Sequence, residues 1–170
     1  MTTLDLSRRS FLHSSVVLSA GLVLPVRAFA DSHAGLEDAV AKSPLVYISP
    51  LKSDGSESQC HGEVWFVADG DDLLVVTNPE RWRAACLSKG LDRARIWVGD
   101  FGAWKQSKGA FRSAPSYVAR SSLDADPAAH ARALETFGSK YPDEWDKWGP
   151  RFAEGLASGK RVLIRYTQGA

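Results

Sequence analysis

Gly62-Glu63-Val64-Trp65-Phe66-Val67-Ala68-Asp69-Gly70-Asp71-Asp72-Leu73-Leu74-Val75-Val76-Thr77 is the stretch whose reading decides the fold. Read as one extended segment from Cys60 to Val67, it puts His61, Glu63, Trp65 and Val67 on one face and Gly62, Val64 and Phe66 on the other. Ala68-Asp69-Gly70-Asp71 then reads as a hairpin turn, because Asp-Gly tolerates the positive φ angles of tight turns. Leu73 to Thr77 is the returning strand. A hairpin at this position makes the local pairing antiparallel.

The flanking segments extend this pattern. Pro44 to Ser49 is a β-branched and aromatic run, hence a strand, and the Ser/Asp/Gly-rich Pro50 to Ser58 is a turn. Asp31 to Lys42 places Leu36, Ala39 and Val40 on one helical face. Downstream, Asn78-Pro79-Glu80 predicts a helix start, with Asn as N-cap and Pro at the first helical position, running through Trp82, Ala85 and Cys86 to Gly90. Ala94 to Val98 and Ser116 to Ser121 are strands, separated by a loop from Gly99 to Gly109 that carries Asp100, Phe101 and Trp104. Pro127 to Phe137 and Pro142 to Leu156 are helices, and Arg161 to Thr167 is a final strand. The order β, ββ, α, β, β, αα, β predicts a mainly β α+β fold with an antiparallel sheet. It lacks the regular βαβ alternation of a doubly wound fold.

The N-terminus reads as a targeting segment. Ser7-Arg8-Arg9-Ser10-Phe11-Leu12 precedes an apolar run from Val16 to Val26, and Ala28-Phe29-Ala30 supplies a small-x-small cleavage site. The reading is a twin-arginine signal over residues 1–30 and a single domain over residues 31–170, delivered to the periplasm by the twin-arginine translocation machinery. An ordinary secretory signal is the alternative. The run is too short for a stable membrane anchor, which needs about 20 apolar residues. Twin-arginine export carries folded proteins, so a cofactor loaded before export becomes part of the expectation.

Of the chain's 170 residues, the signal takes three bases and one acid, which leaves 18 basic and 19 acidic residues in the domain. A net charge near −1 gives no electrostatic reason to expect nucleic acid as a partner. Cys60 and Cys86 form no C-x-x-C pair and no zinc spacing with histidine, so no metal site is expected and the two thiols are read as unpaired. All six tryptophans lie in the domain, where they serve either packing or a pocket for a flat ligand.

With the strand order in place, the chain resembles the pyridoxamine 5'-phosphate oxidase-like split β-barrel flavoproteins. The residues that carry the likeness are Leu45-Val46-Tyr47-Ile48-Ser49, Gly62 to Val67, Asp69 to Thr77, Arg81-Trp82-Arg83-Ala84 and Arg93 to Asp100. Lys140-Tyr141-Pro142 and Val162 to Tyr166 extend it to the C-terminal helix and strand. The resemblance implies a six-stranded antiparallel Greek-key split barrel with flanking helices, a homodimer, and flavin mononucleotide (FMN) at the dimer interface. Deazaflavin or haem are the alternative cofactors. It further implies an exported oxidoreductase acting on a small-molecule redox substrate, or else a non-enzymatic haem- or flavin-binding module. No catalytic residue is found, and Arg161-Val162-Leu163-Ile164-Arg165 is the only, weak candidate for the vitamin-B6 enzymes' substrate-phosphate signature.

The same resemblance assigns cofactor-binding residues. Family members often hold the phosphate with Lys or Arg after the third strand, which falls here on Arg81 or Arg83, flanking Trp82. A helix starting near Pro79 would add backbone N–H donors, and Thr77 a hydroxyl. Glu63, Val64, Trp65 and Phe66 lie where the family lays a strand against the flavin ring, with Trp65 and Phe66 on opposite faces. Trp104 and Lys105 lie in the loop near which a partner subunit closes the site. His61 is read as a proton donor, a haem ligand or a plain polar neighbour. An exposed patch of Trp97, Phe101 and Trp104 is the physical reason to expect a dimer.

Overall fold

One seven-stranded antiparallel sheet forms the frame, and two consecutive strands lie at its opposite edges. The structure is a computed structural model that describes residues 27–169. Its elements are α1 (Arg27–Lys42), β1 (Val46–Pro50), β2 (Gly62–Val64), β3 (Val67–Asp69), β4 (Asp72–Thr77), α2 (Trp82–Ala85), β5 (Arg93–Val98), β6 (Ser116–Asp124), α3 (Pro127–Lys140), α4 (Pro142–Ala157) and β7 (Val162–Gln168). The strand order is β2-β1-β5-β6-β7-β4-β3, and every pairing is antiparallel. β2 and β3 are joined only by Trp65 and Phe66, so the sheet must curl until its two edges approach. The result is an α+β split barrel. The expected twin-arginine signal, residues 1–30, lies outside the described residues except for its last four, which open α1.

Seven strands replace the expected six because the segment from Cys60 to Val67 is two strands. At the corner the Phe66 backbone has no strand neighbour. The Tyr141 hydroxyl takes its place, accepting from the Phe66 N–H at 3.0 Å and lying 2.8 Å from the Phe66 carbonyl and 3.0 Å from that of Pro44. Burial pushes the Tyr141 phenol up to about 12, against a smaller opposing effect of its hydrogen bond to Phe66, so it stays protonated and able to donate.

Alternation along the strands sorts the core into three clusters. Leu73 and Val75 of β4 face the barrel interior with Val46, Ile48, Ile96, Ile164, Tyr166 and Phe66. Leu74 and Val76 point the other way, beneath α3 and α4, against Phe137, Phe152 and Leu156. Both faces of β4 are therefore buried, which explains its uninterrupted Leu-Leu-Val-Val run. The third cluster, Tyr47, Trp97 and Phe111, lies under the loop after β5. Phe101 and Trp104 pack against it, and Trp97 is only 3% exposed. The exposed aromatic patch expected of Trp97, Phe101 and Trp104 is thus absent, because the loop folds back over it.

The helix expected from Asn78 to Gly90 is also corrected. Asn78 Oδ1 accepts from the Glu80 N–H at 2.8 Å, which makes a side-chain-closed turn. Arg81 remains extended, and α2 is four residues long, followed by a single 3-10 turn over Leu87–Lys89. So short a helix has little dipole to offer an anion. Any anion binding at this corner has to come from side chains.

Candidate functional site

The ends of β2 and β4 converge where the barrel is split, and α2 closes the gap between them. They wall a cleft of about 570 Å³. β2 contributes Gly62 and Glu63, preceded by His61, and the end of β4 contributes Val76, Thr77 and then Asn78. Arg81, Trp82 and Arg83 form the α2 wall, with Trp104 and Arg161 at the margins. Trp104 is held there because its N–H donates to Glu63 Oε2 at 3.0 Å. The same loop is anchored by Tyr47, whose hydroxyl donates to the Gly102 carbonyl at 2.6 Å and accepts from the Phe101 N–H at 2.8 Å.

Three guanidinium groups, of Arg81, Arg83 and Arg161, share this cleft with one carboxylate, Glu63. Among the described residues, none of the three arginines forms an ion pair. Arg83 is the most constrained. Its Nε is shielded from solvent and has no hydrogen-bond partner. Burial pulls its pKa below the usual arginine value, and Arg81 adds to that while Tyr166 and Glu63 oppose it. The guanidinium lies 5.1 Å from the Trp82 ring centre. It is admitted by the missing side chain of Gly62, where a Cβ would come within 3.0 Å of Arg83 Nη2. A buried donor without a partner costs stability, and an anion bound at the guanidinium would help to offset that cost. The donor set fits a phosphate, since guanidinium forks match its oxygens.

His61 is committed elsewhere. Its Nδ1 lies 3.3 Å from the Gln59 carbonyl and its Nε2 lies 2.9 Å from Arg112 Nη2. Both contacts are satisfied by the neutral tautomer with the proton on Nδ1. The ring sits 5.9 to 6.2 Å from those of Trp97, Trp104 and Phe111. His61 is a polar neighbour held by Arg112 and the Gln59 carbonyl.

Of the residues expected to bind a cofactor, the structure brings Glu63, Thr77, Arg81, Trp82, Arg83 and Trp104 into this one cleft. The other four do not line it. Val64 packs against the barrel interior and Phe66 is fully buried within it. Trp65 stacks on Tyr141 at 4.5 Å and meets Trp148 edge-on at 6.2 Å, under the helices. Lys105 is exposed, its amine 5.8 Å from the Trp104 ring. Phe66 is closed off within the core, and the partly buried Trp65 lies on the helix side of the sheet. Arg161 and Asn78 are cleft residues that the sequence reading did not assign to the cofactor. Register supplies the missing signal: Thr77 pairs with Val162, which puts the following Asn78 beside the preceding Arg161.

A comparison with protein-family profiles finds no match, and no curated protein matches the sequence. Solved structures do match, by fold. HutZ, the heme storage protein of Vibrio cholerae, superposes with a TM-score of 0.52 at 12% identity, covering 79% of this chain and 88% of that one. A candidate pyridoxamine 5'-phosphate oxidase from Listeria innocua gives 0.53 at 13% identity, covering 79% and 91%. The conserved hypothetical protein Rv2991 of Mycobacterium tuberculosis gives 0.55 at 16% identity, covering 91% and 87%. The chain therefore has the split-barrel fold of the pyridoxamine 5'-phosphate oxidase-like proteins. At these identities the likeness concerns the fold, and function has to be argued from the cleft.

Proposed function

We propose that this protein is an exported flavin-binding split-barrel protein that holds the phosphate of FMN on Arg81, Arg83 and Arg161, and that it serves as an oxidoreductase for a small acceptor. The observation that carries the reading is a cleft lined by three arginines without ion pairs among the described residues and one carboxylate that already accepts from Trp104, with the Arg83 Nε buried and unpartnered behind it. Bound flavin would supply hydride or electron transfer, and the protein position and electrostatics. Arg81 and Arg83 neutralise the phosphate, Thr77 and Asn78 line its approach, and Trp82 and Trp104 offer aromatic surface beside it. Export by the twin-arginine route and a homodimer that closes the cleft belong to the same proposal. The signal sequence supports the first, and the resemblance to dimeric flavoproteins supports the second.

A second reading is a non-enzymatic module on the same barrel. The commitment of both His61 nitrogens favours it, since no other imidazole lines the cleft to exchange a proton with a substrate. The absorption spectrum of protein purified without added cofactor decides between ligands. Flavin bands are expected. A Soret band would replace the flavin reading with haem.

A further inference from the structure

The arginine cleft does not end at Arg161. A second cleft of about 310 Å³ adjoins it, and Asn78 and Arg161 line both. Its other walls are Arg151, Glu154 and Gly155 of α4, together with Lys160. Arg161 is fixed in position between the two. Its stem lies against Gly155, where a Cβ would come within 2.6 Å of its Cγ and Cδ. Its guanidinium rests 5.0 Å from the Phe152 ring centre and 5.9 Å from that of Trp148. Arg151 sits over the same indole at 5.3 Å. Glu154 is the second cleft's only acid. It pairs with Lys160 at 3.7 Å, with both side chains more than three-quarters exposed, so solvent screens it and it does little to cancel Arg151 and Arg161.

Two anion-attracting clefts that share one anchored guanidinium are the arrangement for two neighbouring phosphates. Five N–H donors on a rigid fork allow Arg161 to bridge oxygens on both. A lone phosphate monoester on Arg81 and Arg83 would leave the second cleft unfilled. We infer that the second cleft is a subsite for a second phosphate, and that the preferred ligand is a flavin carrying a diphosphate, of the flavin adenine dinucleotide (FAD) type, rather than the mononucleotide. The inference rests on the proposal that the first phosphate lies on Arg81 and Arg83.

The test is a titration of FMN and FAD into the whole protein and into the double variant Arg151→Ala, Lys160→Ala, at fixed ionic strength, followed by fluorescence quenching. Both residues are exposed, and circular dichroism verifies that the fold is retained. The wild type is expected to bind FAD on the order of tenfold tighter than FMN, about what one added charge-assisted contact supplies. The double variant should lose that preference and keep its FMN affinity. Equal affinity for the two flavins in the wild type, or an unchanged FAD preference in the variant, overturns the second subsite. Equal loss of both flavins in the variant also overturns it, because Arg151 and Lys160 would then serve the first phosphate. Calorimetry with ADP and AMP separates this inference from the flavin reading. If neither flavin binds, the flavin proposal fails. A preference for ADP over AMP that depends on Arg151 and Lys160 would still support the diphosphate subsite, and no preference would refute it.

Discussion

Replacing Arg83 with Met should make the ligand-free protein more stable while weakening its hold on phosphate. In the free state the Arg83 Nε is buried without a partner, a defect worth about 1–3 kcal/mol. Met keeps most of the apolar stem and removes the charged head. What is lost is the contact over Trp82, about 0.5–1 kcal/mol at a site of this kind. The balance is a gain of about 0–2.5 kcal/mol. A domain of this size shifts by about 3 °C per kcal/mol, so the melting temperature should rise by up to about 8 °C. Differential scanning calorimetry on flavin-free protein measures it, and repeating the scan with saturating FMN should show a smaller ligand-induced rise in the variant than in the wild type. Stability given up at a binding residue is a common trade. A fall of the flavin-free melting temperature by several degrees would refute the reasoning, because it would mean that Arg83 is already satisfied and structural.

Three further outcomes follow from the geometry. Tyr141→Phe keeps the stacking on Trp65 but strands the buried Phe66 N–H, and should lower the melting temperature by about 3–9 °C; a change under one degree would show that the barrel corner does not depend on the hydroxyl. Gly155→Ala places a methyl group against the Arg161 stem, and should cut FMN affinity by about tenfold with an unchanged circular dichroism spectrum; unchanged affinity would remove Arg161 from the site. Arg165 gathers Asp69, Asp72 and Asp124 at 2.8 to 3.0 Å, tying the β3–β4 hairpin to β6 and β7. Burial pushes the Asp124 carboxyl up, but hydrogen bonds from Arg165 and the Asp126 N–H outweigh it and leave the pKa below the ordinary value. A carboxylate with a depressed folded-state pKa contributes stability above its unfolded value, near about 4, and loses it as pH falls through the folded one. Asp124→Asn should therefore be less stable than wild type at neutral pH, with the gap closing below about pH 4. A gap independent of pH in urea titrations would contradict this.

How much of the molecule was readable in advance depends on the range of the interaction that sets each feature. The β3–β4 hairpin was legible because Asp69-Gly70 and the apolar run after it are local signals. The break at Trp65-Phe66 was not, because the group that satisfies Phe66 is a hydroxyl 75 positions away. At Asn78-Pro79 a local signal was read too generously: Asn there closes a turn as readily as it caps a helix. In the site, Arg81 and Arg83 were named through the family resemblance, which expects Lys or Arg after the third strand, and both line the cleft. Arg161 was hidden because its proximity to Asn78 is set by the pairing of β4 with β7. Trp65 and Phe66 do lie on opposite faces, as alternation predicts, Phe66 in the barrel interior and Trp65 under the helices.

The central claim is that the cleft at Arg81, Arg83 and Arg161 binds a phosphorylated flavin through its phosphate. Parallel titration of FMN and riboflavin into wild type, Arg81→Ala and Arg83→Ala tests it most directly. The account predicts that wild type binds FMN far more tightly than riboflavin. Each variant should lose roughly 1.5–3 kcal/mol toward FMN, on the order of tenfold to a hundredfold in Kd, with little change toward riboflavin. If both variants bind FMN as tightly as wild type, or if riboflavin binds as well as FMN, the phosphate does not lie on these arginines and the account is contradicted.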